Sequence, residues 1–289
     1  MDYHLPVLLV ETCDSLNIQS GKIYLDVTLG HGGHTLEILR RGGIVYGIDQ
    51  DPENLAIVSS RINHEIPNFN QNFHPIHGNF ANLTSLNLPT DIAGLLADLG
   101  LNSTQQKSTG RGFSFNDSES LDMRLDPQTQ TETAENIINT YSYDELVNIF
   151  SKISQENLAE PIVRQIIFAR QNKPIKTGME LANIIGNVYQ QKNIRTSINP
   201  ATKIFMALRI VVNQEFFNLN SLLNFSLTLP SQASIAIISF HSGEDRLVKL
   251  FTRQNSTQII ASKPITPTNK EIRDNPLSRS AVLRSYKII

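Results

Sequence analysis

Through the first hundred residues, short runs of aliphatic and β-branched residues alternate with stretches of helical spacing. Lys22–Val27, Ile44–Ile48, His74–His77 and Ile92–Ala97 have the length and composition of strands. Between them His34–Arg41, Pro52–Ile66 and Ala81–Leu86 read as helices, with Pro52 following Asp51 as a first-turn proline follows a cap. The order β-α-β-α-β-α-β predicts a parallel sheet with right-handed crossovers and helices on both faces.

The next strand pattern, Ala233–Phe240, lies about 135 residues further on, far more than one crossover requires. A glycine- and serine-rich stretch, Ser108–Asp126, opens this gap. Helical patterns follow at Ala134–Phe150, Pro161–Gln171, Gly178–Gln191 and Ala201–Leu223. The expectation is an α/β, Rossmann-like domain made of residues 1–105 and 207–289, with an all-helical domain, 106–206, inserted between its fourth and fifth strands. A helix at Glu244–Arg253, with Ser242 as its cap, precedes two closing strands, Thr257–Ala261 and Ala281–Ile288, around a polar loop, Ser262–Ser280.

Composition narrows the function classes. The 289 residues carry 25 Lys/Arg and 27 Asp/Glu, a formal charge of −2, and 27 Asn with 16 Gln supply much of the polarity. The single Cys13 excludes a disulfide framework and a multi-thiolate zinc site, and fits a reducing compartment. No window approaches the roughly 18 apolar residues of a membrane span, and no basic segment precedes the apolar N-terminal run. A soluble cytoplasmic protein is expected. Charge is unevenly placed: from Ile235 to Ile289 nine Lys/Arg face four acids, which suits either a solvated face or contact with an anionic partner.

The first strand runs into Asp26-Val27-Thr28-Leu29-Gly30-His31-Gly32-Gly33-His34, and Asp49 ends the second strand 23 residues beyond Asp26. In a doubly wound sheet this crevice binds ligands: glycines admit close backbone approach, and an acid at the next strand end accepts ribose hydroxyls. A dinucleotide and S-adenosylmethionine both use that geometry. The dinucleotide fingerprint G-x-G-x-x-G requires glycine at position 35, where Thr35 stands. A carboxylate at Asp26 repels a pyrophosphate and attracts an ammonium or sulfonium, which places adenosylmethionine ahead. Phe80, after the third strand, is placed either to stack on adenine or to anchor the following helix in the core.

The fourth strand ends in Ala97-Asp98-Leu99-Gly100, beside the cofactor's reactive end. Asp98 has two candidate roles that the sequence does not separate: positioning an acceptor amine for attack, or binding the cofactor's methionine amine. His241, in Ser239-Phe240-His241-Ser242, lacks a nucleophile elbow and suits a structural or substrate-positioning role. His74 and His77 lack helical spacing and further ligands for a metal site, and His31 and His34, also three apart, both sit in the glycine loop, so no metal is expected.

Several motifs then occur in order: His4-Leu5-Pro6-Val7-Leu8-Leu9-Val10-Glu11, the glycine loop, Gly47-Ile48-Asp49-Gln50-Asp51-Pro52, Asp98-Leu99-Gly100 with Ser103 and Gln105, Arg111-Gly112-Phe113-Ser114-Phe115, Leu121-Asp122-Met123-Arg124, Ala207–Glu215, Ile238–Ser242, Glu244-Asp245-Arg246 and Ser278–Arg284. Across nearly its whole length the chain resembles the RsmH/MraW family of bacterial ribosomal RNA cytosine-N4 methyltransferases. The resemblance implies a class I methyltransferase with an inserted helical domain, methylating N4 of one cytidine in the decoding region of small-subunit ribosomal RNA, naked or in the assembled subunit. Carried over, the family's adenosylmethionine contacts fall on Gly32, Gly33, His34, Asp49, Phe80, Asp98 and Gln105. Among the departures, Asn102 stands where the family usually has serine, and Gly243 where it usually has leucine.

RNA contacts are expected from arginines for phosphate and aromatics for an unstacked base. Arg111, Phe113 and Arg124 are candidates, the alternative for this segment being a hinge that packs Phe113 and Phe115 against the sheet. His241, Arg246 and Arg279 complete the candidate set.

Overall fold

A computed structural model describes residues 5–100, 110–115, 118 and 120–289. It divides into two compact units, Met1–Asn102 with Phe216–Ile289, and Ser103–Glu215. Among the described residues no helix is long and apolar enough to cross a membrane.

The first unit is built on seven strands: β1 (Ile23–Asp26), β2 (Ile44–Asp49), β3 (Phe73–His77), β4 (Ile92–Asp98), β5 (Ser234–Ser239), β6 (Ile259–Ala261) and β7 (Val282–Ile288). Their order is β3-β2-β1-β4-β5-β7-β6. The first five are mutually parallel, and β7 inserts antiparallel between β5 and β6. Side-chain alternation divides the apolar residues between two faces, as a sheet covered on both sides requires. Tyr24, Val45, Leu96, Ala236 and Ile238 pack under α1 (Leu9–Ser15), α2 (Gly33–Arg40) and α3 (Pro52–Glu65). Leu25, Leu95, Ala97, Ile235 and Ile237 pack with α9 (Glu215–Ser226) and α10 (Ser242–Gln254).

The second unit holds α4 (Ala134–Thr140), α5 (Tyr143–Asn148), α6 (Ala159–Asn172), α7 (Gly178–Gln191) and α8 (Thr202–Val212) around their own core, which includes Ile137, Phe150, Ile162, Ile185, Ile204 and Leu208. The boundary after Glu215 lies beyond the expected 206, because α8 contributes Ile204, Leu208 and Val212 to this core.

Two expected helices are each broken in two. Ala134–Phe150 stops at Tyr141, where Ser142 starts a new helix with a capping box to Glu145, and ends in a π turn, Ile149–Ile153. Ala201–Leu223 breaks at Gln214, whose φ is 50°. At this break the buried Asn213 side chain accepts from Leu125 N at 2.9 Å and donates to Met123 O at 2.8 Å, while Arg209 and Glu215 pair at 2.7 and 2.9 Å. Those bonds hold the chain at the break. The polar loop Ser262–Ser280 contains a short helix, α11 (Asn269–Asp274), and a 3-10 turn, Pro276–Ser280.

Candidate active site

The strand register brings three acids to the carboxyl end of the parallel strands: Asp26 pairs with Gly47 and Leu96, Asp49 with His77, and Asp98 with Ile238. The glycine loop crosses this edge from β1 into α2. Gly30 and Gly32 adopt φ of 49° and 75°, and a Cβ on Gly32 would lie 2.7 Å from Val58 Cγ1. Gly33 is closed by the N-terminal segment, where Pro6 would meet an added Cβ at 2.9 Å. That segment is tied down from the far end of the chain: Leu8 N donates to Glu271 at 2.7 Å and Asn275 to Leu5 O at 3.1 Å.

Asp26 is not an open cation acceptor. It is buried, and its oxygens accept from Thr28 N at 3.3 Å and the Thr35 hydroxyl at 2.7 Å. Thr35, the residue that breaks the dinucleotide fingerprint, thus locks the loop to α2. Burial pushes the Asp26 carboxyl up to about 6.

Asp49 accepts from Gly30 N at 2.9 Å, Asn54 at 3.0 Å and Asp51 N at 2.8 Å. A carboxylate has about four acceptor positions, so about one remains for a ligand hydroxyl. Burial raises this carboxyl also to about 6, against those three bonds. Asp51 caps α3 through Glu53 N at 3.0 Å. Phe80 opens a 3-10 turn capped by Asn79 and is half-buried, packed on the face formed by Leu25 and Leu95.

Asp98 differs from both. Its backbone N–H donates to Thr28 Oγ1 at 2.6 Å, but its buried Oδ1 has no hydrogen-bond partner among the described residues. Oδ2 lies 3.6 Å from His34 Nδ1. Desolvation, then the Asp26 and Glu244 carboxylates, hold this carboxyl well above the usual range. The His34 ring is buried, with Nε2 3.1 Å from Val7 O, so its side chain faces Asp98 and the N-terminal segment. An unpartnered buried carboxylate oxygen is an acceptor that a donating ammonium group fits, on the same sheet edge as Asp49, with β1 between the two strands. Gln105, like Asn102, lies outside the described residues.

The candidate RNA residues do different things locally. In the first unit, His241 caps α10 in place of Ser242: its Nδ1 accepts from Glu244 N at 3.4 Å, and Glu244 accepts from Phe240 N at 2.9 Å. Gly243 follows because a Cβ there would meet the Phe216 ring at 2.6 Å, which leaves no room for a larger side chain while Phe216 stays in place. Arg246 and Arg279 are exposed. Asp245 instead takes Arg284, at 2.7 and 3.2 Å. In the second unit, Arg124 donates to Asp122 at 2.7 Å from both Nε and Nη2, and from Nη1 to Gln130 O at 2.8 Å, which commits it to its own loop. Arg111 is half-buried and reaches Leu125 O at 3.4 Å. Phe113 and Phe115 pack on the helical core of their own unit, Phe115 edge-on to Phe205 with centroids 6.1 Å apart.

Sequence reading did not find Asn213 as the pin of the 123–130 loop, nor His34 as an inward-facing side chain. The Asn213-Gln214-Glu215 motif was the available signal for the first.

A 3-2-1-4-5-7-6 sheet with a reversed seventh strand, a glycine turn after β1 and an acid at the tip of β2 defines a Rossmann-like, class I methyltransferase fold. Comparison with known proteins makes this specific. The model of the MraW methylase family matches residues 1–289, and the chain belongs to that family of methyltransferases. The ribosomal RNA small subunit methyltransferase H of Trichodesmium erythraeum is 42% identical over 283 residues, 97% of each chain. That of Persephonella marina is 39% identical over 294 residues, 99% of each chain. A solved rRNA methylase structure from Streptococcus thermophilus is similar at 12% identity and a TM-score of 0.45, over 96% of this chain and 95% of that one.

Proposed function

We propose that the protein transfers a methyl group from S-adenosylmethionine to the exocyclic N4 of one cytidine in the decoding region of small-subunit ribosomal RNA. The observation that carries the cofactor reading is Asp98 Oδ1, a buried acceptor with no hydrogen-bond partner among the described residues, on the same sheet edge as Asp49. The RNA reading is supported by the relatives, which are named as small-subunit ribosomal RNA methyltransferases and match almost end to end.

Bound adenosylmethionine supplies a methyl group on a sulfonium, open to in-line displacement by an amine. The protein supplies placement. Asp49 holds the ribose, the open side of Phe80 takes the base, and the backbone at Gly32, Gly33 and His34 lets the ligand approach the loop closely. Asp98 Oδ1 takes the amino-acid ammonium rather than the target amine, because a full positive charge gains more than a neutral N–H from a buried carboxylate. Holding the reactants in line supplies most of the acceleration. Arg246 and Arg279, exposed in the first unit, contact RNA phosphates, and the helical unit recognises the substrate. Arg124 and His241 are assigned to holding their own loops, and Phe113 to the helical core.

Calorimetric titration with adenosylmethionine tests the cofactor reading: saturable binding abolished by Asp98→Ala is expected, and binding that survives this change at full affinity contradicts it.

A further inference from the structure

The glycine loop is held from two sides. From the sheet and α3, Asp49 accepts from Gly30 N at 2.9 Å and Arg61 donates to His31 O at 2.9 Å. From the other side, residues 5–8 lie across the start of α2: Pro6 would meet a Cβ on Gly33 at 2.9 Å, and Val7 O accepts from His34 Nε2 at 3.1 Å. Glycines leave the loop backbone free, so it keeps one shape only where its neighbours impose it.

Residues 5–8 do not hold themselves in place. Burial of Val7 and Leu8 keeps the segment on its unit, but Leu8 stands at φ 51° and ψ 38°, a left-handed conformation that a leucine occupies at a cost. Helix α1 has no side-chain cap of its own. Two side chains from the far end of the sequence supply the hold: Glu271 of α11 accepts from Leu8 N at 2.7 Å, and Asn275 donates to Leu5 O at 3.1 Å. Asn275 is itself buried, and its carbonyl takes Ser278 N at 3.0 Å and Ser278 Oγ at 2.8 Å. Without the Glu271 carboxylate, Leu8 N loses the acceptor that favours this conformation. Relaxation of Leu8 then turns Pro6 and Val7 away from Gly33 and His34.

The start of α2 borders the amino-acid end of the ligand site, because His34 Nδ1 lies 3.6 Å from Asp98 Oδ2 and Asp98 Oδ1 is the acceptor assigned to the ammonium. Asp49 and Phe80, assigned to ribose and base, follow β2 and β3 on the opposite side of β1.

We infer that Glu271 is a positioning residue for the cofactor: through Leu8 N it holds residues 5–8 against Gly33 and His34, and so fixes the start of α2 for the amino-acid end of adenosylmethionine. The inference rests on the adenosylmethionine reading above and adds to it a residue of the C-terminal loop that acts through Leu8 rather than on the ligand.

Calorimetric titration of the full chain with adenosylmethionine and with 5′-methylthioadenosine, which keeps the base and ribose but lacks the amino-acid end, tests this, with a denaturation curve for each variant. Glu271→Ala is expected to weaken adenosylmethionine about tenfold and methylthioadenosine less than about threefold. Glu271→Gln keeps a side-chain oxygen for Leu8 N, and is expected to bind both ligands within about threefold of wild type. Pro6→Ala leaves Glu271 and Asn275 in place and strips the ring from Gly33. It is expected to show the same selective loss of adenosylmethionine, and it decides the question if Glu271→Ala does not fold.

A glutamate serving stability alone would weaken both ligands alike. Equal weakening of the two ligands, adenosylmethionine affinity unchanged in Glu271→Ala, or Glu271→Gln as weak as Glu271→Ala overturns the inference while leaving the cofactor reading intact. Failure of wild type to bind adenosylmethionine overturns both.

Discussion

Replacing Asp49 by asparagine removes charge and one acceptor from a side chain that takes three donors: Gly30 N at 2.9 Å, Asn54 Nδ2 at 3.0 Å and Asp51 N at 2.8 Å. An asparagine offers one oxygen. If that oxygen stays on Gly30 and Asn54, its NH2 faces Asp51 N, and a bond becomes a donor–donor contact costing about 1–3 kcal/mol of stability. The ligand loses more, because a ribose hydroxyl exchanges a carboxylate acceptor for an amide that already serves the loop. A hydrogen bond to a charged group contributes about 1.5–3 kcal/mol, so adenosylmethionine binding should weaken roughly 10- to 150-fold at pH 7.5. Methylthioadenosine, which carries the same ribose, should weaken in parallel. Calorimetric titration of both ligands, with a denaturation curve to establish folding, measures this. A folded Asp49→Asn variant that binds adenosylmethionine within about threefold of wild type would refute the assignment of Asp49 to ribose.

Other expectations follow from the same contacts. Asp26 is raised to about 6 from 3.8 by burial, so the folded state holds its proton more tightly than the unfolded chain. Its contribution to stability is therefore present at low pH and lost as pH rises from about 4 to 6; Asp26→Asn should flatten that decline and gain up to about 3 kcal/mol at pH 7.5, read by chemical denaturation at pH 4 and 7.5. No change in slope contradicts it. Gly32→Ala combines φ of 75° with a 2.7 Å approach to Val58, and should weaken cofactor binding, with partial recovery when Val58→Ala is added. Asn213→Ala leaves Leu125 N without its side-chain acceptor and should lower the melting temperature, at a cost of about 2–4 kcal/mol. Arg246→Glu with Arg279→Glu should weaken RNA binding and reduce its salt dependence while leaving adenosylmethionine affinity unchanged in the same titrations.

The sheet edge was legible in the sequence because its parts are local. A strand, a glycine turn and a helix must be contiguous, and the acids at positions 26, 49 and 98 each end an apolar run. The family resemblance was equally readable, in motifs spread from the N-terminal segment to Arg284. What escaped was set by contacts distant in sequence. Helix α1 has no side-chain cap; Leu8, at φ 51°, donates its N–H to Glu271, 263 residues away. The break at Gln214 has neither glycine nor proline, and is held by Asn213 reaching back to residues 123–125. The break at Ser142 was within reach, since Ser142 and Glu145 form a capping box that helical periodicity alone passes over. Asp26 read as a cation acceptor until Thr35 proved to be its partner.

Small-subunit ribosomal RNA, incubated as naked RNA and as assembled subunit with the purified protein and adenosylmethionine bearing a deuterated methyl group, can be digested and its nucleosides sequenced by mass spectrometry. One labelled N4-methylcytidine in a decoding-region fragment is the predicted product. Absence of label from both substrates, or label on a base carbon or a different nucleoside, would contradict the account.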